Sequence, residues 1–589
     1  MINRENLQEL LGALSFEKKG SIYKKQIGST TLEVNFAKNQ IVYPEADGLV
    51  INERQTCNFD SNENFVVFEC VHRLLWKGYR PEHIELEPKW KLGHGASGGR
   101  ADVLVKDNHG RPLLIIECKT VGAEFKRAWN RTLQEGDQLF SSAQQIAETQ
   151  FLCLYTSYLD GGAVRYTSHI IAHRDNEKYL IDNPLFRAFK SVSNVRERHA
   201  VWRDTYKLDY TTKGIFEDNI QPYHIGKDKY SLADLHAISA TDQQKKYHEF
   251  ATILRQHNVS GRENAFDKLV NLFLCKLVDE IENPSELKFY WKGVAYDTHF
   301  ELMDRLQQLY QAGMGKFLGE DITYINQGDI NNALRFIKQN PDATQRAVWN
   351  LFIQQKFFTN NDFSLIDVHN EKLFYQNAEV LLKILQMWQD IRLTDPHGHN
   401  QFLGDMFEGF LDQGVKQSEG QFFTPMPICR FIMMSLPLAT LVQRSTTPPK
   451  AIDYACGAGH FLTELALQLK PLVAMHQPEA DLATYHKSLY GIEKEYRLSK
   501  VAKVSAFMYG QQGINICYGD GLINQHEAFP EIKDGTFDLL VANPPYSVRG
   551  FLETLPEEER KAYTLTETIN DLETSNIIET FFIERAKQL

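Results

Sequence analysis

The eight cysteines of this 589-residue chain form no C-x-x-C pair; Cys57, Cys70, Cys118, Cys153, Cys275, Cys429, Cys456 and Cys517 stand scattered. That pattern offers neither a zinc ribbon nor a disulfide framework, and it fits a reducing cytoplasm. A G-x-x-x-x-G-K-S/T phosphate loop is also missing. Gly313-Met314-Gly315-Lys316 comes nearest, but Tyr310 and Phe317 break it, so no translocating motor is expected. No apolar run reaches the length of a membrane span; the longest, residues 431–442, is interrupted by Pro437 and reads as a buried helix. Residues 1–15 lack the three regions of a signal peptide, and no membrane partner is expected. Positive charge is not in excess either: 64 Lys and Arg face 76 Asp and Glu, a net charge of −12. Contact with nucleic acid would therefore rest on local patches. One candidate is 186–207, where Arg187, Lys190, Arg196, Arg198, Arg203 and Lys207 interleave with Phe189 and Trp202; a solvated helical face reads equally well.

What is present has three textures, and the expected fold class is α/β throughout. Residues 1–220 mix strands and helices. A helix is expected over 62–77, ended by Gly78. A hairpin follows, from strands 101–105 and 113–118 with Asn108-His109-Gly110 as the turn. Then come a helix over 135–149 and a strand over 151–156. Residues 221–400 show three- and four-residue apolar spacing over 243–255, 263–280, 300–312, 331–338 and 371–390, and read as a helical connector. From 401 to 589, strands expected at 451–454, 488–492, 514–518 and 537–542 alternate with helices. That alternation predicts a parallel sheet.

Four short segments of this last region carry chemistry. Asp453-Tyr454-Ala455-Cys456-Gly457-Ala458-Gly459 lies where a strand hands over to a helix, and its glycines permit a tight turn with close approach of a ligand to the backbone. Glu493 ends the next strand, where a carboxylate can bind two ribose hydroxyls. Asp520, between Gly519 and Gly521, can accept from an adenine amino group. Asn543-Pro544-Pro545-Tyr546 follows the last strand. Its prolines stiffen the backbone, so the Asn543 side-chain oxygen and the Pro544 carbonyl can both accept from one exocyclic amino group while Tyr546 stacks on the base. Such positioning suits in-line displacement at a methyl group.

These segments, with Gly420-Gln421-Phe422-Phe423-Thr424-Pro425 upstream, resemble the N6-adenine DNA methyltransferases of restriction systems, above all type I modification subunits and type IIG fusions. The resemblance covers residues 243 to 589 and implies a Rossmann-like domain that uses S-adenosylmethionine. Thr424 would line the methionine end of the cofactor; Asp453, Gly457 and Gly459 would hold methionine and ribose; Glu493 would hold the ribose and Asp520 the adenine. Asn543, Pro544, Pro545 and Tyr546 would be the catalytic set, acting on a flipped adenine, with cytosine N4 as the alternative acceptor. Tyr454 and His460 stand where the family more often has Pro and Gly. The segment order resembles the gamma arrangement, with target recognition lying C-terminal. After the helix near 576–587 the sheet would need further strands, so either a longer polypeptide or another chain is expected to complete it.

The N-terminal region carries a second constellation. Asp102 lies on the first hairpin strand, and Glu117 and Lys119 lie two apart on the second, hence on one face. Two carboxylates can hold Mg²⁺ at a phosphate, and the lysine can orient water. This resembles the Asp…Glu-x-Lys pattern of PD-(D/E)xK nucleases, with an auxiliary acid, Glu63 or Glu69, on the preceding helix. Gln138 starts a Gln motif that departs from the family's form, because Ser142 and Ala143 stand where a Tyr is common. The combined reading is a bifunctional restriction-modification enzyme that methylates double-stranded DNA and cleaves it when unmethylated, with a separate specificity subunit or a C-terminal target-recognition domain. A methyltransferase whose N-terminal region only binds DNA, a protein-glutamine methyltransferase, and a scaffold that awaits a partner are the rivals.

Overall fold

The computed structural model describes the chain except for residues 89–100, 176–179, 181–185, 219, 227–229, 238–239, 260, 294–295, 326–347, 349, 395–423, 512, 525–528, 570 and 572–573. It is a mixed α/β protein of two compact units, one made of residues 1–229 with 292–298, the other of 230–291 with 299–589.

In the first unit, strands β1 (Glu17–Lys19), β2 (Ile22–Ile27), β3 (Thr30–Asn35) and β4 (Gln40–Val42) form an antiparallel meander. These strands, three to six residues long, are too short to stand out in the sequence pattern. A six-stranded mixed sheet follows, from β5 (Val50–Ile51), β6 (Ile84–Leu86), β7 (Val103–Lys106), β8 (Pro112–Cys118), β9 (Phe151–Asp160) and β10 (Ala163–Ala172), in the order β10-β9-β8-β7-β6-β5. The hairpin β7–β8 turns where expected: Asp107 Oδ1 accepts from the His109 and Arg111 amides, and Gly110 takes a φ of 74°. Strand β8 pairs in parallel with β9, which demands a crossover connection. Two helices supply it, Ala123–Glu135 and Asp137–Gln145. The helix expected over 135–149 is present as Asp137–Gln145, and the helix before it was not expected. Gly136, at φ 84°, breaks the run, and a Cβ there would crowd Phe140 and His199 at 3.1 Å. The earlier helix escaped notice because only Phe125, Trp129 and Thr132 of it are buried.

The helix Asn62–Lys77 has the expected bounds. The Ser61 side chain accepts from the Glu63 amide at its start, and Gly78 ends it at φ 105°. Its buried residues Phe65, Phe68, Val71 and Leu75 join Leu114 and Ile116 of β8 in the core of this unit. The basic stretch 186–207 is not a continuous solvated face: Phe189, Arg198 and Trp202 are buried, and Arg198 Nη1 lies 3.1 Å from His173 Nε2.

The second unit begins with helices Ala240–Gln256, Arg262–Glu282, His299–Gly313 and Glu371–Gln389, close to the expected spans. The expected helix at 331–338 falls outside the described residues. The apolar run at 431–442 forms two helices, Met426–Ser435 and Leu438–Arg444, bent by 50° at the break before Leu438. Among the described residues no single helix is long and apolar enough to cross a membrane, though this bent pair passes by length and composition.

Four parallel strands follow: β13 (Ala451–Asp453), β14 (Leu489–Glu493), β15 (Asn515–Tyr518) and β16 (Leu539–Leu540), in the order β15-β14-β13-β16. (β11, His236–Ala237, and β12, Ile391–Arg392, form a separate parallel pair.) Helices His460–His476 and Tyr496–Met508 connect β13 to β14 and β14 to β15. Because β13 has β14 on one side and β16 on the other, the winding reverses beside it. Such a switch point opens a crevice at the carboxyl ends of the strands.

Candidate active site

All four expected segments of the second unit lie at that carboxyl edge. Asp453 closes β13 and is buried. Its Oδ1 accepts from the Ala455 amide at 3.2 Å, while its Oδ2 has no hydrogen-bond partner among the described residues. Burial, reinforced by the nearby Glu493 carboxylate, pushes its pKa up to about 8. Beyond it the chain turns through Gly457 (φ 52°) and Gly459 (φ 81°), a backbone that L side chains resist. A Cβ on Gly459 would also stand 3.3 Å from that of Ala502.

Glu493 closes β14 and fastens this loop to the sheet. Its Oε2 accepts from the Gly457 amide and its Oε1 from the Glu495 amide, both at 2.8 Å. Burial raises its pKa to about 7 despite these two amides, which favour the charged form. Asp520 follows β15, its Oδ1 accepting from the Leu522 amide at 3.0 Å and its Oδ2 lying 2.7 Å from the Lys494 ammonium. A Cβ on Gly521 would fall 2.0 Å from the Tyr454 carbonyl oxygen, so two strand ends meet there with no room for a side chain.

Only Leu539–Leu540 of the expected strand 537–542 pairs as a ladder, but Val541 N still donates to Ile452 O at 3.1 Å, which holds Asn543 beside the glycine loop. Asn543 Nδ2 donates to Thr424 Oγ1 at 3.0 Å, and the Tyr546 hydroxyl donates to Asn543 Oδ1. The acceptor oxygen expected to face a substrate amine is thus covered by Tyr546, whose ring is half exposed.

A cavity of about 430 Å³ gathers these strand ends, within the range of small-molecule sites. Gly457, Glu493, Asp520, Asn543 and Pro545 line it. Asp453, Gly459, Thr424, Pro544 and Tyr546 do not. Sequence reasoning missed Lys494, Arg549, Phe551, Leu555, Ile578 and Phe582, which also line it. No motif marks them: Lys494 follows β14, Arg549 and Leu555 flank the 3₁₀ turn Phe551–Thr554 that carries Phe551, and Ile578 and Phe582 lie on the helix Ile578–Gln588. The two departures from the family pattern are both engaged. Tyr454 donates its hydroxyl to Phe582 O at 2.8 Å, and His460 Nδ1 lies 3.3 Å from Thr424 O.

In the first unit, Lys119 Nζ sits 2.8 Å from Glu117 Oε1 and 3.3 Å from Glu63 Oε1. Asp102 Oδ2 accepts from the Cys118 amide at 2.7 Å. Burial disfavours the Lys119 ammonium, but Glu117, Asp102 and Glu63 outweigh it and raise its pKa. Burial, then Asp102, holds the Glu117 pKa well above the ordinary carboxylate range, and Glu117 Oε2 has no hydrogen-bond partner among the described residues. Of the two upstream acids the structure brings Glu63 to this cluster. Glu69 is fully buried elsewhere, paired with Arg73 and accepting from the Tyr155 hydroxyl at 2.5 Å. Gln138 stands in the first turn of Asp137–Gln145. Among the described residues no three His, Cys, Asp or Glu side chains converge closely enough to hold a metal ion between them.

Residues 398–582 match the N-6 DNA Methylase family. Two curated proteins are similar over part of the chain: a 4-amino-L-phenylalanine/4-methylamino-L-phenylalanine methyltransferase of Streptomyces pristinaespiralis, 31% identical over 27% of this chain and 44% of its own, and the methylase subunit of the type I restriction enzyme MjaVII of Methanocaldococcus jannaschii, 27% identical over 31% of this chain and 28% of its own. The chain thus spans less than half the length of these relatives. Among solved structures, a type I restriction-modification methyltransferase subunit from Streptococcus thermophilus matches at 15% identity and a TM-score of 0.31 over 59% of this chain and 72% of its own. The type IIG restriction endonuclease BpuSI matches at 13% and 0.28 over 84% of this chain and 47% of its own. Scores this low carry no argument. What remains is the sequence match of residues 398–582 to the N-6 DNA Methylase family, which spans the four strand ends that meet at the cavity.

Proposed function

We propose that this chain transfers a methyl group from S-adenosylmethionine to the exocyclic N6 of adenine in double-stranded DNA, as part of a restriction-modification system. The observation that carries this reading is that Gly457, Glu493, Asp520 and Asn543, from four separate strand ends, line one cavity. The residues fit the cofactor. Glu493 and Asp520 offer acceptors for hydroxyl and amino donors, the buried Asp453 oxygen lacks a partner among the described residues, and the glycines leave backbone exposed to a ligand. The cofactor would supply an electrophilic methyl group. Asn543 would accept from the target amine through Oδ1 once Tyr546 swings away to stack on the base. The Pro544 carbonyl would accept a hydrogen bond from the second amino N–H, so that the nitrogen lone pair points into the cavity; the N–C bond would form as the S–C bond breaks, releasing the thioether, and the methylated nitrogen would then lose one proton to solvent.

Asn543→Ala should abolish transfer of radiolabelled methyl groups to long unmethylated DNA while leaving cofactor binding intact; retained methylation would refute the assignment. The similarity to an enzyme named for an aryl-amino amino acid supports a second reading, in which the same clamp holds a small aromatic amine. Methyl transfer to such amines but not to DNA would favour it.

For the first unit the proposal is a Mg²⁺-dependent nuclease that cuts unmethylated DNA, a type IIG-like arrangement with a separate specificity subunit or a C-terminal target-recognition domain. Mg²⁺ keeps most of its waters and needs one or two carboxylates. Asp102 and Glu117 would provide these, and the buried Glu117 Oε2 is the atom such an ion would satisfy. Glu63 would hold outer waters, and Lys119 would orient the attacking one.

A further inference from the structure

Five charged side chains line the cavity, and four of them are engaged within the second unit. Glu493 accepts from the Gly457 and Glu495 amides, and Lys494 pairs with Asp520. Glu495 caps the helix Tyr496–Met508 by accepting from the Leu498 amide at 2.8 Å, and it accepts from Arg497 Nε at 2.9 Å. The fifth, Arg549, makes no hydrogen bond or ion pair with any described residue. It is exposed, so it stands where the cavity meets solvent. Its backbone is nonetheless fixed on both sides. Ser547, two residues before it, holds a left-handed φ of 54°, and its amide donates to Glu579 Oε1 at 3.1 Å. Gly550, directly after it, takes a φ of 68° and donates its amide to Ser575 O at 3.1 Å. Phe551 then anchors the chain, buried edge-on against Phe581 at 5.2 Å. A serine persists in the left-handed region only where its surroundings over-determine it. A guanidinium carried on such a backbone and left without a counter-charge is prepared for an anion from outside.

We propose that Arg549 binds the phosphodiester beside the target nucleotide, and so makes this a site for nucleic-acid strands in preference to free aromatic amines. Asn543 and the Pro544 carbonyl hold the amine and Tyr546 the base, so the residues that follow run along the rest of the same nucleotide. Three residues of chain carry Tyr546 to Arg549, a span of at most about 11 Å, and the long arginine side chain extends that reach. A guanidinium stays charged at every working pH and only donates, in a planar fork that matches two phosphate oxygens. The setting gives the contact its weight. A chain of net charge −12, with three carboxylates in this cavity, repels a polyanion. Lys494, the other cation of the lining, is held by Asp520. Arg549 is the lining cation left to offset that repulsion.

The inference rests on the methyltransferase reading, and the experiment separates the two. In the full chain, Arg549→Gln removes the charge, and Arg549→Lys keeps the charge without the fork. Neither breaks an internal contact, so thermal unfolding should match the parent. Methyl transfer to long unmethylated DNA and to 4-amino-L-phenylalanine, calorimetric affinity for S-adenosylmethionine, and DNA affinity across a range of salt concentrations are measured for each. Arg549→Gln is expected to raise KM for DNA about tenfold with kcat within about threefold of the parent. The slope of log DNA affinity against log salt should shrink by about one, whatever the sequence. Arg549→Lys should keep that slope and recover part of the affinity, and cofactor affinity should stay within about twofold throughout. If Asn543→Ala methylates normally, the functional reading fails, and Arg549 is judged on the salt slope alone. If Arg549→Gln keeps the parent slope and KM, the phosphate contact fails. A loss confined to cofactor affinity would assign Arg549 to the cofactor carboxylate, and an equal loss on 4-amino-L-phenylalanine would assign it to the carboxylate of an amino acid; either overturns the inference. Should the chain alone transfer no methyl group, the salt slope decides, and a parent chain that binds no DNA refutes the proposal.

Discussion

With Glu493 holding the cofactor ribose, as proposed, binding would depend on pH in a way that follows from the surroundings of its carboxylate. Its carboxylate is desolvated, next to Asp453 and Glu495, and although the Glu495, Gly457 and Lys494 amides favour its charge, its pKa rises to about 7. Two ribose hydroxyls are donors and need the ionised carboxylate. With a pKa near 7, about nine-tenths of the free protein is competent at pH 8 and about one-tenth at pH 6. The sign is fixed by the direction of the shift: a raised carboxylate pKa means that binding expels a proton, so affinity falls as pH drops. The predicted loss between pH 8 and pH 6 is about tenfold, or ~1.4 kcal/mol. The cofactor's own α-amino group titrates near this window, so methylthioadenosine, which carries ribose and adenine without the amino acid, is the better ligand. Calorimetry in two buffers of different ionisation enthalpy should show about half a proton released at pH 7. Glu493→Gln should flatten the dependence; any slope left over belongs to Asp453, whose pKa is near 8. A wild-type affinity that stays within twofold from pH 6 to pH 8 would refute the assignment of Glu493 to the ribose.

Two further outcomes follow from local geometry. Gly521→Ala forces a Cβ to within 2.0 Å of the Tyr454 carbonyl, a backbone atom that cannot step aside cheaply. It should destabilise the second unit by roughly 1–3 kcal/mol or more and weaken cofactor binding with it; unchanged thermal unfolding and affinity would show that the close approach relaxes freely. Lys119→Ala should abolish Mg²⁺-dependent cutting of unmethylated DNA while methylation continues, because the two clusters lie in separate units. Cutting that persists would move the nuclease site elsewhere.

Much of the fold was legible because local rules fixed it. Ser61 and Gly78 set the ends of one helix, Asp107 and Gly110 set a hairpin, and glycines at 457 and 459 mark the turn out of a strand. Each signal acts over a few residues, so the string of letters contains it whole. The helix break at Gly136 and the strands of the N-terminal meander were harder to read, since their apolar stripes are narrow or short.

The sequence by itself determined the chemistry available: which strand ends carry an acid, where glycine admits a ligand, and that a stiff Asn-Pro-Pro-Tyr follows the last strand. These are properties of residue type and spacing. Only the tertiary structure decided which of them meet. Parallel strands place residues distant in sequence side by side, so Glu493 reaches the Gly457 amide and Thr424 reaches Asn543. The choice of Glu63 over Glu69 beside Lys119 depends on which face of one helix turns towards the sheet, and helical periodicity alone does not set that face. The contact of Thr424 with Asn543, and the wall that Phe551 and Phe582 add to the cavity, were decided for the same reason. Packing between elements, not pattern within them, brings those atoms into contact.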